Sequence, residues 1–147
     1  MNERASILYV MASRSEYGPC LQSKRKPFML GIGPVEAGVS LAIELGRLSY
    51  SNSLPNLVVS LGSAGPRTLP EKEVFQVTSV AYRDMDVSLL GYEKGCTPLL
   101  DLPASIDMPL RIQALKEHHS QQELILFLVR RITELKQTWL IWKHSQF

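Results

Sequence analysis

Glu16 lies in Ser13-Arg14-Ser15-Glu16-Tyr17-Gly18-Pro19, directly after an apolar run. A carboxylate held partly away from water at the end of a strand can act as a general base. A single Glu is more often a surface charge, and that reading stands beside the catalytic one. Two glycine-bearing segments lie further on, Gly31-Ile32-Gly33-Pro34 and Gly62-Ser63-Ala64-Gly65. At a strand end, Gly31, Gly33, Gly62 and Gly65 would let backbone N–H groups come close to a ligand's hydroxyl or phosphate oxygens. The first pair lacks the third glycine of a dinucleotide fingerprint, so a plain tight turn explains it equally well. The second is more telling, because Ser63 adds a hydroxyl to a compact loop. Asp84 and Asp86 form a second acidic pair, for which loop capping is the simpler reading.

The surrounding pattern indicates how these residues are placed. Ile7 to Ala12 is a short apolar run of the kind that forms a strand buried on both faces. Phe28 to Pro34 reads as a strand entering a glycine turn, with Pro34 suited to a first helical position. Val35 to Leu48 has apolar residues near helical spacing. Leu57 to Leu61 is a third buried strand that runs into Gly62. Val74 to Val80 is β-rich, and Tyr82 to Tyr92 continues with mixed polarity. The three prolines Pro98, Pro103 and Pro109 predict an irregular surface segment from Gly95 to Pro109. Strands alternating with a helix indicate an α/β sheet, in which ligands sit beyond the carboxyl ends of the strands. The loops 13–16, 31–34 and 62–65 all fit that position.

The 147 residues are 45% hydrophobic and 20% charged, which suits one globular domain. Residues 1–110 carry 10 Lys and Arg against 11 Asp and Glu, and residues 111–147 carry 6 against 3, so the net charge of +2 arises in the tail. His118, His119, His144, Trp139 and Trp142 lie there too. The near-neutral body lacks the basic footprint of a nucleic-acid binder, and Lys24-Arg25-Lys26 reads as a solvated loop. Cys20 and Cys96 have no metal-ligand spacing, so no metal or cofactor is expected, and reduced thiols in a cytoplasmic protein are the default. The longest apolar stretch, Leu124 to Val129, is far short of a membrane span.

In order and spacing, four segments resemble the N-terminal half of the 5′-methylthioadenosine/S-adenosylhomocysteine nucleosidases, within the nucleoside phosphorylase family. They are Glu16-Tyr17-Gly18-Pro19, Gly31 to Ala37, Leu61 to Gly65, and Tyr82-Arg83-Asp84-Met85-Asp86-Val87-Ser88 with Gly91-Tyr92. The resemblance covers about Ile7 to Leu110. It implies a three-layer α/β sandwich around a mixed sheet, working as a homodimer, and hydrolysis of the N-glycosidic bond of an adenine nucleoside. Glu16 falls where the family holds the base that activates water. Ser13 falls beside the ribose, where the family often has Met. Gly33 stands in a matching turn, and Ser63, Ala64 and Gly65 match the loop lining the nucleoside pocket. Val87, Leu90 and Pro98 match positions that reach into a neighbouring subunit's pocket, with Leu90 in place of a usual aromatic. A purine nucleoside phosphorylase is the alternative enzyme, disfavoured because only Arg14 lies in the first loop and Glu16 would repel a phosphate dianion.

The resemblance implies further groups that residues 113–147 do not match: an aromatic stacked on the base, a Met-Glu pair for the ribose hydroxyls, and an Asp that protonates adenine. Activity is therefore expected to be impaired, with an inactive remnant or an interaction protein as the other alternative. Residues 1–112 read as the nucleoside phosphorylase-like part and 113–147 as a divergent tail. Gln121 to Trp142 can be read as one amphipathic helix. The tail also permits re-reading with each codon started one base early. Gln137 to Phe147 can then be re-read as Ala-Asp-Met-Val-Asp-Met-Glu-Thr-Phe-Ala-Val, which contains the Met-Glu pair. A one-base frameshift between Gln113 and Glu117 is the expectation this raises, with the end at residue 147 set by a stop in the shifted frame.

Overall fold

The structure, a computed structural model, describes residues 6–63, 74–108 and 110, together with the backbone of 116–118 and 125–129. Strands β1 (Ile7–Met11), β2 (Phe28–Met29) and β3 (Leu57–Leu61) lie side by side with β1 in the middle. All three run parallel, in a register that sets Met11 beside both Met29 and Leu61. The start of the β1–β3 ladder is fixed by Asn56, whose Oδ1 accepts from the Ser6 N–H at 2.8 Å and whose own N–H donates to the Ser6 carbonyl.

Parallel strands need a crossover, and here it is helix α2 (Pro34–Tyr50). Pro34 sits at its first position, where a missing N–H costs nothing. The helix turns Ala37, Leu41 and Leu45 onto Val10, Leu30 and Val58, with Leu8 and Phe28 completing the cluster. Val10 and Val58 are each 1% exposed, and burying such a side chain contributes about 1.5–3 kcal/mol. A short helix, α1 (Pro19–Gln22), lies between β1 and β2.

Beyond β3 the sheet becomes mixed. Strand β4 (Phe75–Val77) runs parallel to β7 (Lys116–His118) and to β8 (Ile125–Val129), whereas β8 runs antiparallel to β3. The order across the six strands is β2-β1-β3-β8-β4-β7. The α/β class and the mixed sheet agree with the sequence reading. Among the described residues α2 is the only long helix, so a second helical layer is not among them.

Three expectations are sharpened or corrected. The β-rich run 74–80 is two strands, because the chain changes partner at Thr78. β4 joins the large sheet, while β5 (Ser79–Ala81) pairs antiparallel with β6 (Ser105–Asp107) around Val77, Val80, Ile106 and Met108. The Thr78 carbonyl accepts from the Met108 N–H at 2.7 Å and closes this small sheet. The segment 95–109 is therefore not wholly irregular, since a three-residue strand fits between Pro103 and Pro109. In place of a helix over 121–142, residues 125–129 form a strand. Ile125-Leu126-Phe127-Leu128-Val129 has no polar face to turn outward, and a continuous apolar run with a neighbouring strand on each side suits β structure. The rest of that expected helix lies outside the described residues. No described helix is long and apolar enough to cross a membrane.

Candidate functional site

Because β1, β2 and β3 are parallel and in register at their carboxyl ends, the segments that leave them emerge on one edge of the sheet. The loops at 13–16, 31–34 and 62–63 thus share that edge, where α/β folds place ligands. After β1 the chain makes a single helical turn, Arg14–Glu16. Ser13 starts it, its hydroxyl accepting from the Ser15 N–H at 3.2 Å and lying 2.8 Å from the Ser15 hydroxyl. The segment that follows is braced by Tyr17, whose hydroxyl donates to the Arg25 carbonyl at 2.7 Å, and by Gln22, whose side-chain amide donates to the Tyr17 carbonyl at 2.6 Å. The Arg25 guanidinium lies over the Tyr9 ring, so the basic run 24–26 is part of this exposed loop.

The turn delivers the Glu16 carboxylate to the end of β3. The backbone N–H of Ser63 donates to Glu16 Oε1 at 2.8 Å, and the Ser63 hydroxyl donates to the same oxygen. Glu16 Oε2 is buried and has no hydrogen-bond partner among the described residues. Gly62 passes beside the carboxylate, with a Cβ at this residue falling 3.8 Å from Oε1 and 3.9 Å from Oε2. Glu16, Gly62 and Ser63 are therefore one constellation assembled across 47 residues of sequence. It presents a fixed carboxylate with one oxygen held by Ser63 and the other, buried, accepting from none of the described residues. The sequence marks Gly62 as a turn glycine open to close ligand approach, and its closeness to Glu16 is a product of strand pairing.

Gly33 is buried at the head of α2 with φ 109°, and Gly31 has φ 92°. A Cβ on Gly33 would stand 2.5 Å from Glu36 Oε2, and one on Gly31 3.2 Å from Glu36 Cβ. The positive φ at both positions, more than these side-chain contacts, requires glycine there. Ala64 and Gly65 lie outside the described residues.

Val87, Leu90 and Pro98 belong to a different part of the fold, the connection from β5 to β6. Val87 and Pro98 are half-buried and Leu90 is exposed. Asp86 organises this loop. Its Oδ1 accepts from the Ser88 hydroxyl at 2.8 Å and the Ser88 N–H at 3.3 Å, while Oδ2 lies 3.3 Å from Lys94 Nζ. The Ser88 hydroxyl first, then the Ser88 N–H and Lys94, hold the Asp86 carboxyl below the ordinary Asp range. The Gly95 N–H closes the loop onto the Met85 carbonyl at 2.8 Å. Asp86 is a loop cap here, and Asp84 pairs with Arg83 at 3.1 Å. Among the described residues no group of three or more His, Cys, Asp or Glu side chains could hold a metal.

Fold and site together define part of an α/β protein with a carboxylate anchored at the strand ends. Over this part the chain is a relative of the 5′-methylthioadenosine/S-adenosylhomocysteine nucleosidases. It is 32% identical to the enzyme of that name from Actinobacillus succinogenes over 95 residues, 63% of this chain and 38% of the relative. It is 38% identical to that of Bacillus pumilus over 77 residues, 51% of this chain and 30% of the relative. A Geobacillus relative of the same name is 34% identical over 94 residues, 63% of this chain and 38% of the relative. The matched stretches thus span less than two-fifths of these relatives' length. No protein-family profile matches the chain.

Proposed function

We propose that the chain carries the water-activating half of a nucleosidase site, acting on the N-glycosidic bond of an adenine nucleoside with a 5′-alkylthio group. The observation that carries this reading is Glu16 at the strand ends, with Oε1 held by Ser63 and Oε2 unpartnered among the described residues. The names of the relatives support the substrate class. In the reaction, a water oxygen bonds to the ribosyl carbon as the C–N bond breaks. The water's proton passes to Glu16, and the purine leaves with the electron pair. Ser13 and Gly33 are proposed on the ribose side of the pocket, with Ser63, Ala64 and Gly65 along its wall. Arg14, exposed in the same turn, is the one Arg of the first loop and forms no cluster for phosphate, so water is favoured over phosphorolysis.

Turnover by these 147 residues alone is proposed to be weak. No group in them matches the acid that protonates adenine, and lacking a general acid costs about 10²- to 10⁴-fold. The tail from residue 113 is proposed to be a translation in a shifted frame. Sequencing the gene tests this directly, and stops in the alternative frame would refute it. A second copy of the chain is proposed to cover the apolar side chains that the 82–104 loop leaves open, including Val87, Leu90 and Pro98. Leu89 and Leu99 on that loop are 100% and 98% exposed, and sedimentation velocity distinguishes dimer from monomer.

The deciding experiment for function is adenine release from methylthioadenosine by the purified chain. The expected result is slow turnover, unaffected by added phosphate and lost in Glu16→Gln. Absence of turnover favours the inactive remnant, and dependence on phosphate favours a phosphorylase.

A further inference from the structure

The two oxygens of the Glu16 carboxylate have unlike surroundings. Oε1 accepts from both donors of one residue, the N–H and the hydroxyl of Ser63. Oε2, also buried, accepts from none of the described residues. The direction from which Ser63 approaches is set by the sheet, because β1 and β3 are locked in a five-residue parallel register from Ile7 beside Leu57 to Met11 beside Leu61. Glu16 follows that ladder by one tight turn and Ser63 by two residues. Two donors on one oxygen fix the carboxylate plane, and hydrogen bonds to a charged oxygen are among the stronger ones. An oxygen that already accepts two hydrogen bonds is also a poorer proton acceptor than its unengaged twin.

We propose that Ser63 is a positioning residue for Glu16. By holding Oε1 with its amide and hydroxyl, it makes Oε2 the oxygen that takes the proton. That the proton comes from water attacking a nucleoside rests on the nucleosidase reading, whereas the clamp itself does not. As the water oxygen bonds to the ribosyl carbon, its proton goes to Oε2 and the bonding pair of the broken C–N bond leaves with the purine. The Ser63 hydroxyl keeps its own proton throughout, so it serves the base and is not spent on the nucleoside.

The test uses the full chain labelled with carbon-13 and nitrogen-15, compared with Ser63→Ala, Ser63→Thr and Glu16→Gln. Side-chain couplings of Glu16 should report one rotamer in the parent and in Ser63→Thr, and rotamer averaging in Ser63→Ala. The residue 63 amide proton should lie downfield in the parent, where it donates to the charged Glu16 oxygen, and move upfield in Glu16→Gln. Glu16 couplings that are averaged in the parent, or unchanged in Ser63→Ala, overturn the clamp, as does an amide shift that survives Glu16→Gln. Adenine release is followed on the same samples. A kcat lowered on the order of tenfold in Ser63→Ala, with KM within a factor of two and recovery in Ser63→Thr, supports the role in turnover. An unchanged kcat in Ser63→Ala overturns it. No turnover by the parent, with the couplings as expected, sinks the nucleosidase reading and leaves the clamp standing.

Discussion

Gly33 and Gly38 lie five residues apart at the start of α2, and replacing each by Ala should shift stability in opposite directions. Gly33 has φ 109° and ψ 152°, a region that glycine alone occupies readily. Forcing a side chain into it costs on the order of 1–3 kcal/mol. The added methyl would also stand 2.5 Å from Glu36 Oε2, but Glu36 is exposed and its carboxylate can swing away. That contact should therefore add only about a few tenths of a kcal/mol. Gly38 lies within the helix with nothing within 4 Å of its Cβ position, so Ala should stabilise it by about 0.5–1 kcal/mol. For a chain of this size a change of 1 kcal/mol moves the melting temperature by roughly 3 °C. Thermal unfolding followed by circular dichroism should thus place Gly33→Ala about 6 °C below the parent and Gly38→Ala about 2 °C above it. Adding Glu36→Ala to Gly33→Ala should recover little. Full recovery would refute the backbone argument, and a Gly33→Ala melt equal to the parent would refute the conformation itself.

Gly62→Ala should leave the melting temperature close to the parent's, because no backbone strain attends this position. Its methyl would lie 3.8 and 3.9 Å from the two Glu16 oxygens and should cut adenine release by roughly tenfold or more, by displacing the reacting water. Equal turnover would refute the placement of the site. Asp86 has its carboxyl held below the ordinary range by Ser88 and Lys94. Its support of the 82–104 loop should therefore be complete above the ordinary Asp value and be lost as pH falls through the lowered one. Hydrogen exchange at the Ser88 amide measures this. Asp86→Asn should remove that pH dependence, and an unaltered profile would contradict the assigned cap.

Much of the fold can be read in the chain because local rules point the same way. The apolar runs at 7–11 and 57–61 are strands, and Pro34 after Gly33 begins a helix where the apolar spacing changes. The departures occur where partners lie far away in sequence. Thr78 divides one β-rich run between two sheets, and Ser105–Asp107 becomes a strand only because β5 lies beside it. At 125–129 an apolar block without a polar face joins the sheet, although the sequence also allows one amphipathic helix over 121–142.

The site divides along the same line. Residue types alone marked Glu16 as a possible base and Gly62 and Ser63 as a compact turn, and motif order pointed to a family of nucleosidases. That Ser63 spends both donors on one oxygen of Glu16, while Gly62 lies against both, was decided by the pairing of β1 with β3. A hydrogen bond between residues 16 and 63 depends on where two strands end relative to each other. No local propensity encodes that distance, because the register is set by the summed burial of Val10, Val58 and their neighbours under α2.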